Sequence, residues 1–227
     1  MEREKVKGES RSPKRRSILW VAIEGFVPGT LALVAAGSLF ILGVPLLGLF
    51  LFLVSLSILL FFRDPERIVS VESGQILSAA DGKVIAVEPV FESRYLKADA
   101  LRISVFMSIF NVHINRSPMN GRALEVKHIS GGFRMAHLDA ASLENERTEI
   151  LLEDDSGRRS LMVQVAGLVA RRIICRLEPG DRVESGGRFG LICFGSRVDL
   201  YLPPETVPVV KVGDKVKAGL SVLGTLT

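Results

Sequence analysis

Three short stretches of this sequence carry side chains able to do chemistry together: "SAADGKV" with Asp81, "FNVHINRSP" with His113, and "CFGSRVDLYLP" with Gly195 and Ser196. A carboxylate, an imidazole and a hydroxyl are the ingredients for activating a serine, whose own hydroxyl is a weak nucleophile at neutral pH. Each stretch alone has a plainer reading. Asp before Gly is a turn former, and His113 between Val112 and Ile114 reads as a partly buried structural histidine. A Gly-Ser pair inside a β-prone run reads as a bulge or tight turn. The pair is nonetheless unusual in its setting, because "RFGLI" and "VDLYL" on either side favour extended backbone. Gly195 has no Cβ, so its carbonyl can be approached closely and its backbone can take angles that other residues resist. A serine hydrolase would place its serine in a Gly-x-Ser-x-Gly elbow, and "CFGSRVD" is not one.

The elements that must position these residues fall into two parts. From Phe26 to Phe62 run 37 residues without a charge, interrupted by "LGVP" at Leu42 to Pro45. One helix of that length would far exceed a hydrocarbon core of about 30 Å, whereas two helices of about 17 residues each would just span it. The spacing predicts a transmembrane helical hairpin within residues 17–62, with a single tilted span or a re-entrant pair as alternatives. Residues 1–16 hold seven Lys and Arg against three Glu, and Arg63 and Arg67 follow the apolar run. Basic flanks on both sides place both ends on the cytoplasmic side of the cell membrane, with the tail against anionic lipid. A cleaved signal peptide is a poor fit to so long an apolar run. The formal net charge of +4, with no basic helix or aromatic-basic interleaving, argues against nucleic acid. Cys175 and Cys193 sit in apolar sequence and read as buried free thiols in a reducing compartment, and no metal site is expected.

Residues 63–227 are enough for one domain with a real core. Short β-prone runs alternate with turn signals, so the fold class is mainly β (α+β), with "MAHLDAASLENER" the best helical candidate. "EPGDRVESG" and "KVGDKVKAG" repeat the pattern Gly-Asp-basic-Val-x-small-Gly 33 residues apart, ending at Gly186 and Gly219. Such turns resemble those of the barrel-sandwich fold of biotinyl and lipoyl carriers. A non-enzymatic membrane adaptor with a barrel-sandwich domain is therefore one reading. A carrier role is disfavoured because Lys83 and Lys215 lack the flanking residues of a modified lysine.

Taken in order, "FFRDPER", "ADGKV", "SVFMSIFNVHINRSPMNGR", "HLDAASLENER", "QVAGLVARRI" and "RFGLICFGSRVDLYLP" resemble a phosphatidylserine decarboxylase proenzyme of the short, membrane-associated type. The same resemblance extends to archaetidylserine decarboxylases, close relatives that stand as an alternative reading of the activity. The longer members carry Leu-Gly-Ser-Thr where this chain has Phe194-Gly195-Ser196-Arg197, and two histidines where it has His113 alone. The resemblance implies a self-processing enzyme cut between 195 and 196 into a heavy chain 1–195 and a light chain 196–227. It implies that Ser196 attacks the Gly195 carbonyl and becomes a covalent pyruvoyl group, the cofactor, which forms a Schiff base with the substrate. It implies that His113 takes the Ser196 proton and that Asp81 orients His113. The partners so implied are phosphatidylserine, the anionic membrane, the two chains of one proenzyme, and a further copy where the chain forms a homo-oligomer. Arg116, Arg134 and Arg197 are candidates for the head group, with solvated surface arginines as the plainer alternative.

Overall fold

The computed structural model describes residues 17, 18, 20–132, 144–167, 172–193 and 195–226. The basic tail, Arg134, His137, Phe194 and most of the expected helix in "MAHLDAASLENER" lie outside them. Of that stretch, Asn145 is buried with its amide on the Ala166 carbonyl at 2.7 Å, and Arg147 already opens a strand.

The uncharged run folds as two antiparallel helices, α1 (Ile23–Ile41) and α2 (Pro45–Phe61). The break falls where "LGVP" places it. Gly43 turns with φ +76, and Pro45 opens α2 at a position where its missing N–H costs nothing. Small residues let the helices approach closely, as in membrane helix pairs. A Cβ on Gly29 would stand 2.6 Å from Leu59 Cδ2, and the Ser55 hydroxyl donates to the Gly29 carbonyl at 2.7 Å. Outward-facing Leu31, Val34, Leu46, Phe50 and Leu53 leave the hairpin apolar all round. Two short strands, β1 (Ser17–Ile18) and β2 (Val21–Ala22), pair at its base. There the Ala22 N–H meets the Phe62 carbonyl at 2.8 Å, and the Asp64 N–H meets the Trp20 carbonyl at 2.6 Å.

The remainder is β structure, with strands β3 (Gln75–Leu77), β4 (Gly82–Glu92), β5 (Ala98–Met107), β6 (Ile114–Arg116) and β7 (Gly121–Ile129) before residue 132. There follow β8 (Arg147–Glu153), β9 (Arg159–Val165), β10 (Ile173–Cys175), β11 (Arg182–Val183) and β12 (Arg188–Ile192). The chain closes with β13 (Ser196–Leu202), β14 (Val207–Pro208), β15 (Lys215–Val216) and β16 (Val222–Thr225). An eight-stranded antiparallel sheet in the order β11-β7-β8-β9-β13-β5-β4-β15 curls around the main core. Two three-stranded sheets, β10-β12-β6 and β14-β16-β3, complete the domain.

The sequence repeat has a structural counterpart. β11 and β15 occupy opposite edges of the large sheet, and each follows a left-handed glycine, Gly180 with φ +96 and Gly213 with φ +104. The repeats meet at their ends, where a Cβ on Gly219 would lie 3.1 Å from the Gly186 Cα. Ser78 and Ser117 make matching 2.7 Å bonds to the carbonyls two residues on. This two-fold likeness fits the barrel-sandwich expectation.

"FFRDPER" fastens the hairpin to the domain through buried charge. Arg188 Nε donates to Asp64 at 2.7 Å, and Arg67 grips both Asp81 oxygens at 2.6 and 2.8 Å. Arg116 donates to the carbonyls of Pro65 at 3.0 Å and Gly186 at 2.9 Å. Burial, with Arg188 and Arg67 close by, pulls the Arg116 guanidinium down to about 10, against the opposing pull of Asp64. Arg116 is thus neither a solvated surface arginine nor open to a head group. Arg197, also buried, is ion-paired with Asp199 at 2.9 Å.

Candidate active site

Gly195 and Ser196 sit at a change of sheet. β12 ends at Ile192 in one three-stranded sheet, and β13 begins at Ser196 in the centre of the large one. The sequence on either side is extended for two different reasons, and the pair is the joint between them. Gly195 takes φ +56, a left-handed conformation that a Cβ disfavours, while among the described residues beyond its chain neighbours nothing lies within 4 Å of where a Cβ would stand. The glycine is required by backbone angle and not by crowding. Ser196 is fully buried opposite Met107, and its hydroxyl donates to the Met107 sulfur at 3.4 Å.

His113 reaches this joint through β6. Ile114 pairs with Leu191, and the Ile192 N–H meets the His113 carbonyl at 3.3 Å. The ring is buried, with Nδ1 at 3.0 Å from the Asn111 carbonyl, so Nδ1 carries the proton. Nε2 is then an acceptor, and it has no hydrogen-bond partner among the described residues. Desolvation, aided by the charge on Arg63, lowers the imidazole to about 4, while the Asn111 bond and the Asp81 charge act the other way. The ring therefore stays neutral at physiological pH, as a general base must. Phe61, at the end of α2, packs on it with centroids 4.1 Å apart.

Asp81 does not orient the imidazole directly. Its oxygens bind Arg67 and the Ala218 N–H at 2.8 Å, and no hydrogen bond joins it to His113 among the described residues. The orienting bond comes from the backbone at Asn111, and Asp81 contributes only its field. The Asp81 segment is still local, since the Arg116 N–H bonds the Ala79 carbonyl at 3.0 Å. Gly82 is needed there because a Cβ would run into the Phe106 carbonyl at 2.0 Å.

The reading of reactive side chains alone passes over Phe61, Met107, Asn111, Asn115 and Gln164, all of which the fold brings to this region. Asn115 stood in plain view two residues after His113, whereas nothing in the sequence links Gln164 to Ser196. A groove of about 740 Å³, lined by Phe50, Leu53, Phe61, Arg63, Ile109 and Phe110 among others, runs between α2 and the loop after β5. Cys175 and Cys193 are free thiols pushed up to about 11 by burial.

The family model described as phosphatidylserine decarboxylase matches residues 55–224, which include every residue of the joint. The chain belongs to the phosphatidylserine decarboxylase family. The family's curated members include a phosphatidylserine decarboxylase proenzyme of Desulfotalea psychrophila, 47% identical over 178 residues covering 78% of this chain and 83% of that protein. Another, from Syntrophotalea carbinolica, is 50% identical over 166 residues, covering 73% of this chain and 78% of the relative. A third, from Nitrosomonas eutropha, is 49% identical over 173 residues, covering 76% and 80%. Membership in this family makes the chain an enzyme and sets the adaptor reading aside.

Proposed function

We propose that this chain is made as a proenzyme that cuts itself between Gly195 and Ser196, and that it then decarboxylates phosphatidylserine to phosphatidylethanolamine at the membrane. The observation that supports this reading is the joint itself: a left-handed Gly195 beside a buried Ser196 hydroxyl, with buried His113 on the segment whose carbonyl takes the Ile192 N–H, three residues before Gly195, and with its Nε2 unbonded among the described residues.

The chemistry follows from the residues. His113 Nε2 takes the Ser196 proton as Oγ bonds to the Gly195 carbonyl carbon, and the imidazolium returns it to the departing nitrogen. The amide becomes an ester. Loss of the Ser196 α-proton expels the Gly195 carboxylate and leaves a dehydroalanine, which water converts to a pyruvoyl group with release of ammonia. Ser196 is placed for that change, since it is the first residue of β13 and stays anchored by the strand behind it. A pyruvoyl group at position 196 supplies a carbonyl that adds a primary amine and draws electrons from the carbon losing carbon dioxide. Phe61 and the burial around His113 keep bulk water from the site.

A lipid substrate suits the surroundings. α1 is long and apolar enough to cross a membrane, and the apolar groove beside α2 leads to Phe61. The hairpin would then hold the site at the bilayer, with both ends on the cytoplasmic side.

Intact mass decides the first half of this reading. Purified full-length protein should give two chains, one ending at Gly195 and one of 32 residues from position 196 without a free amino terminus. Ser196→Ala should stay whole, and His113→Ala should cut slower by about a hundredfold to ten-thousandfold. An active preparation containing only the uncut chain would refute it.

A further inference from the structure

The self-cleavage mechanism leaves one charge without a partner. Attack on the Gly195 carbonyl drives negative charge onto its oxygen, and in a buried site that charge needs a donor already in place. We infer that the side-chain amide of Asn115 is that donor, and that Gln164 is the positioning residue that aims it. This rests on the self-processing reading above.

Asn115 and Gln164 are both wholly buried. Gln164 Nε2 donates to Asn115 Oδ1 at 2.8 Å, which fixes the amide so that Nδ2 points away from Gln164. What Nδ2 finds there is poor. Its contacts are the Ala79 carbonyl at 3.5 Å and the Met107 sulfur at 3.7 Å, both long, and a thioether is a weak acceptor. A buried N–H pair left so loosely held is uncommon, because desolvating it without a good bond is costly. The Ser196 hydroxyl donates to the same sulfur at 3.4 Å. Nucleophile and amide thus converge on one soft atom that releases both at little cost.

The surrounding sheet is shaped to hold this pair. Asn115 pairs with Gly190 across β6 and β12, and Gln164 lies opposite Val198 in β13, two residues past Ser196 and therefore on the same face. A Cβ on Gly190 would run into the Ile174 carbonyl at 2.2 Å and would stand 3.2 Å from Gln164 Nε2, so the glycine admits the β10 backbone first and the arm of Gln164 beside it. Asn115 is also fixed to the strand that carries His113 in its approach, so base and oxyanion donor move as one piece.

The test uses pulse-labelled full-length chains in detergent, with the uncut and cut forms separated by gel and checked by mass. Asn115→Leu, which keeps the volume and removes the donor, should slow cleavage by about 10²- to 10³-fold. Asn115→Asp keeps the shape but places a carboxylate beside the oxyanion. It should also stay largely uncut at pH 8, then cut at least about tenfold faster when the purified proenzyme is brought to pH 5.5, where a buried carboxyl gains a proton and becomes a donor. His113 remains a neutral base at that pH, so the gain reads position 115. Gln164→Leu should give an intermediate loss. Cleavage of Asn115→Leu at the parental rate, or a flat pH profile for Asn115→Asp, would overturn the inference and leave Ser196 and His113 in place. Cleavage of Ser196→Ala would instead overturn the reading beneath it.

Discussion

His113 has its pH behaviour set by where it is buried. An exposed imidazole titrates near 6.5, and this one is lowered to about 4 mainly because charging it would leave an ion in a dry pocket against Phe61. Two consequences follow at this residue. Self-cleavage should be flat between pH 8 and 6 and should fail only as pH approaches 4, where the base becomes protonated; a decline centred near 6.5 would show an exposed imidazole. Stability runs the same way. Above 6.5 both folded and unfolded forms are neutral, but below it the unfolded chain binds a proton that the folded one refuses, so folding weakens by about 3 kcal/mol between pH 6.5 and 4. Urea titrations of Ser196→Ala across that range measure it, and the double variant with His113→Phe should lose that share of the dependence. The identity of His113 was legible from its company in "FNVHINRSP". Its partner is not legible there, since the pairing with Asp81 is what the resemblance implies and the residues alone do not place one beside the other. In the fold Asp81 answers to Arg67, a residue 14 positions away whose importance lies in anchoring the hairpin.

β13 decides what cleavage does to the molecule. The strand is central in the large sheet, paired with β5 from Ser196 opposite Met107 to Leu202 opposite Leu101, and with β9 on its other edge. A cut before Ser196 therefore severs a connection between sheets and breaks no ladder. Residues 196–227 also supply β15 to an edge of that same sheet and β14 and β16 to the three-stranded sheet with β3, so the 32 residues are woven into the core. The cut chains should co-elute in size-exclusion chromatography in detergent and separate only in denaturant. Elution of a free light chain under native conditions would contradict this. The β-prone runs that flank the Gly-Ser pair were plain in the sequence. That they belong to different sheets was not, because period-2 patterning reports burial along a strand and is silent on its neighbours.

Hairpin and domain form a single piece. Ala22 and Phe61 are buried together with Val112, Ile114, Leu191 and Cys193, and Arg63 donates to the Phe110 carbonyl. Full-length protein should resist high salt and alkaline carbonate and come out only with detergent. Removing residues 1–62, which by composition looks like trimming a separable anchor, should instead expose this cluster and the His113 ring. Deleting a buried aromatic of this kind costs about 3–5 kcal/mol. The truncated chain should accordingly melt well below the full-length protein in detergent, and its His113 should titrate closer to 6.5 by NMR. A truncated domain that melts and cuts itself like the full chain would show that the hairpin is only a tether.

By itself the sequence determined what depends on local chemistry and periodicity. The 37-residue uncharged run with a Gly-Pro break dictated two apolar helices, alternating β-prone runs and paired Gly-Asp turns dictated a mainly β domain with two related ends, and Gly195-Ser196 stood out as a joint. Tertiary structure alone decided which groups meet. Arg67 takes Asp81 and Arg116 is spent on Pro65 and Gly186, while Asn115 finds Gln164 and Phe61 closes over His113. Those contacts join residues 14 to 70 positions apart across two sheets, the loops between strands and a helix end. The energy of such pairs depends on burial and geometry, which the spacing of residues along a chain does not specify.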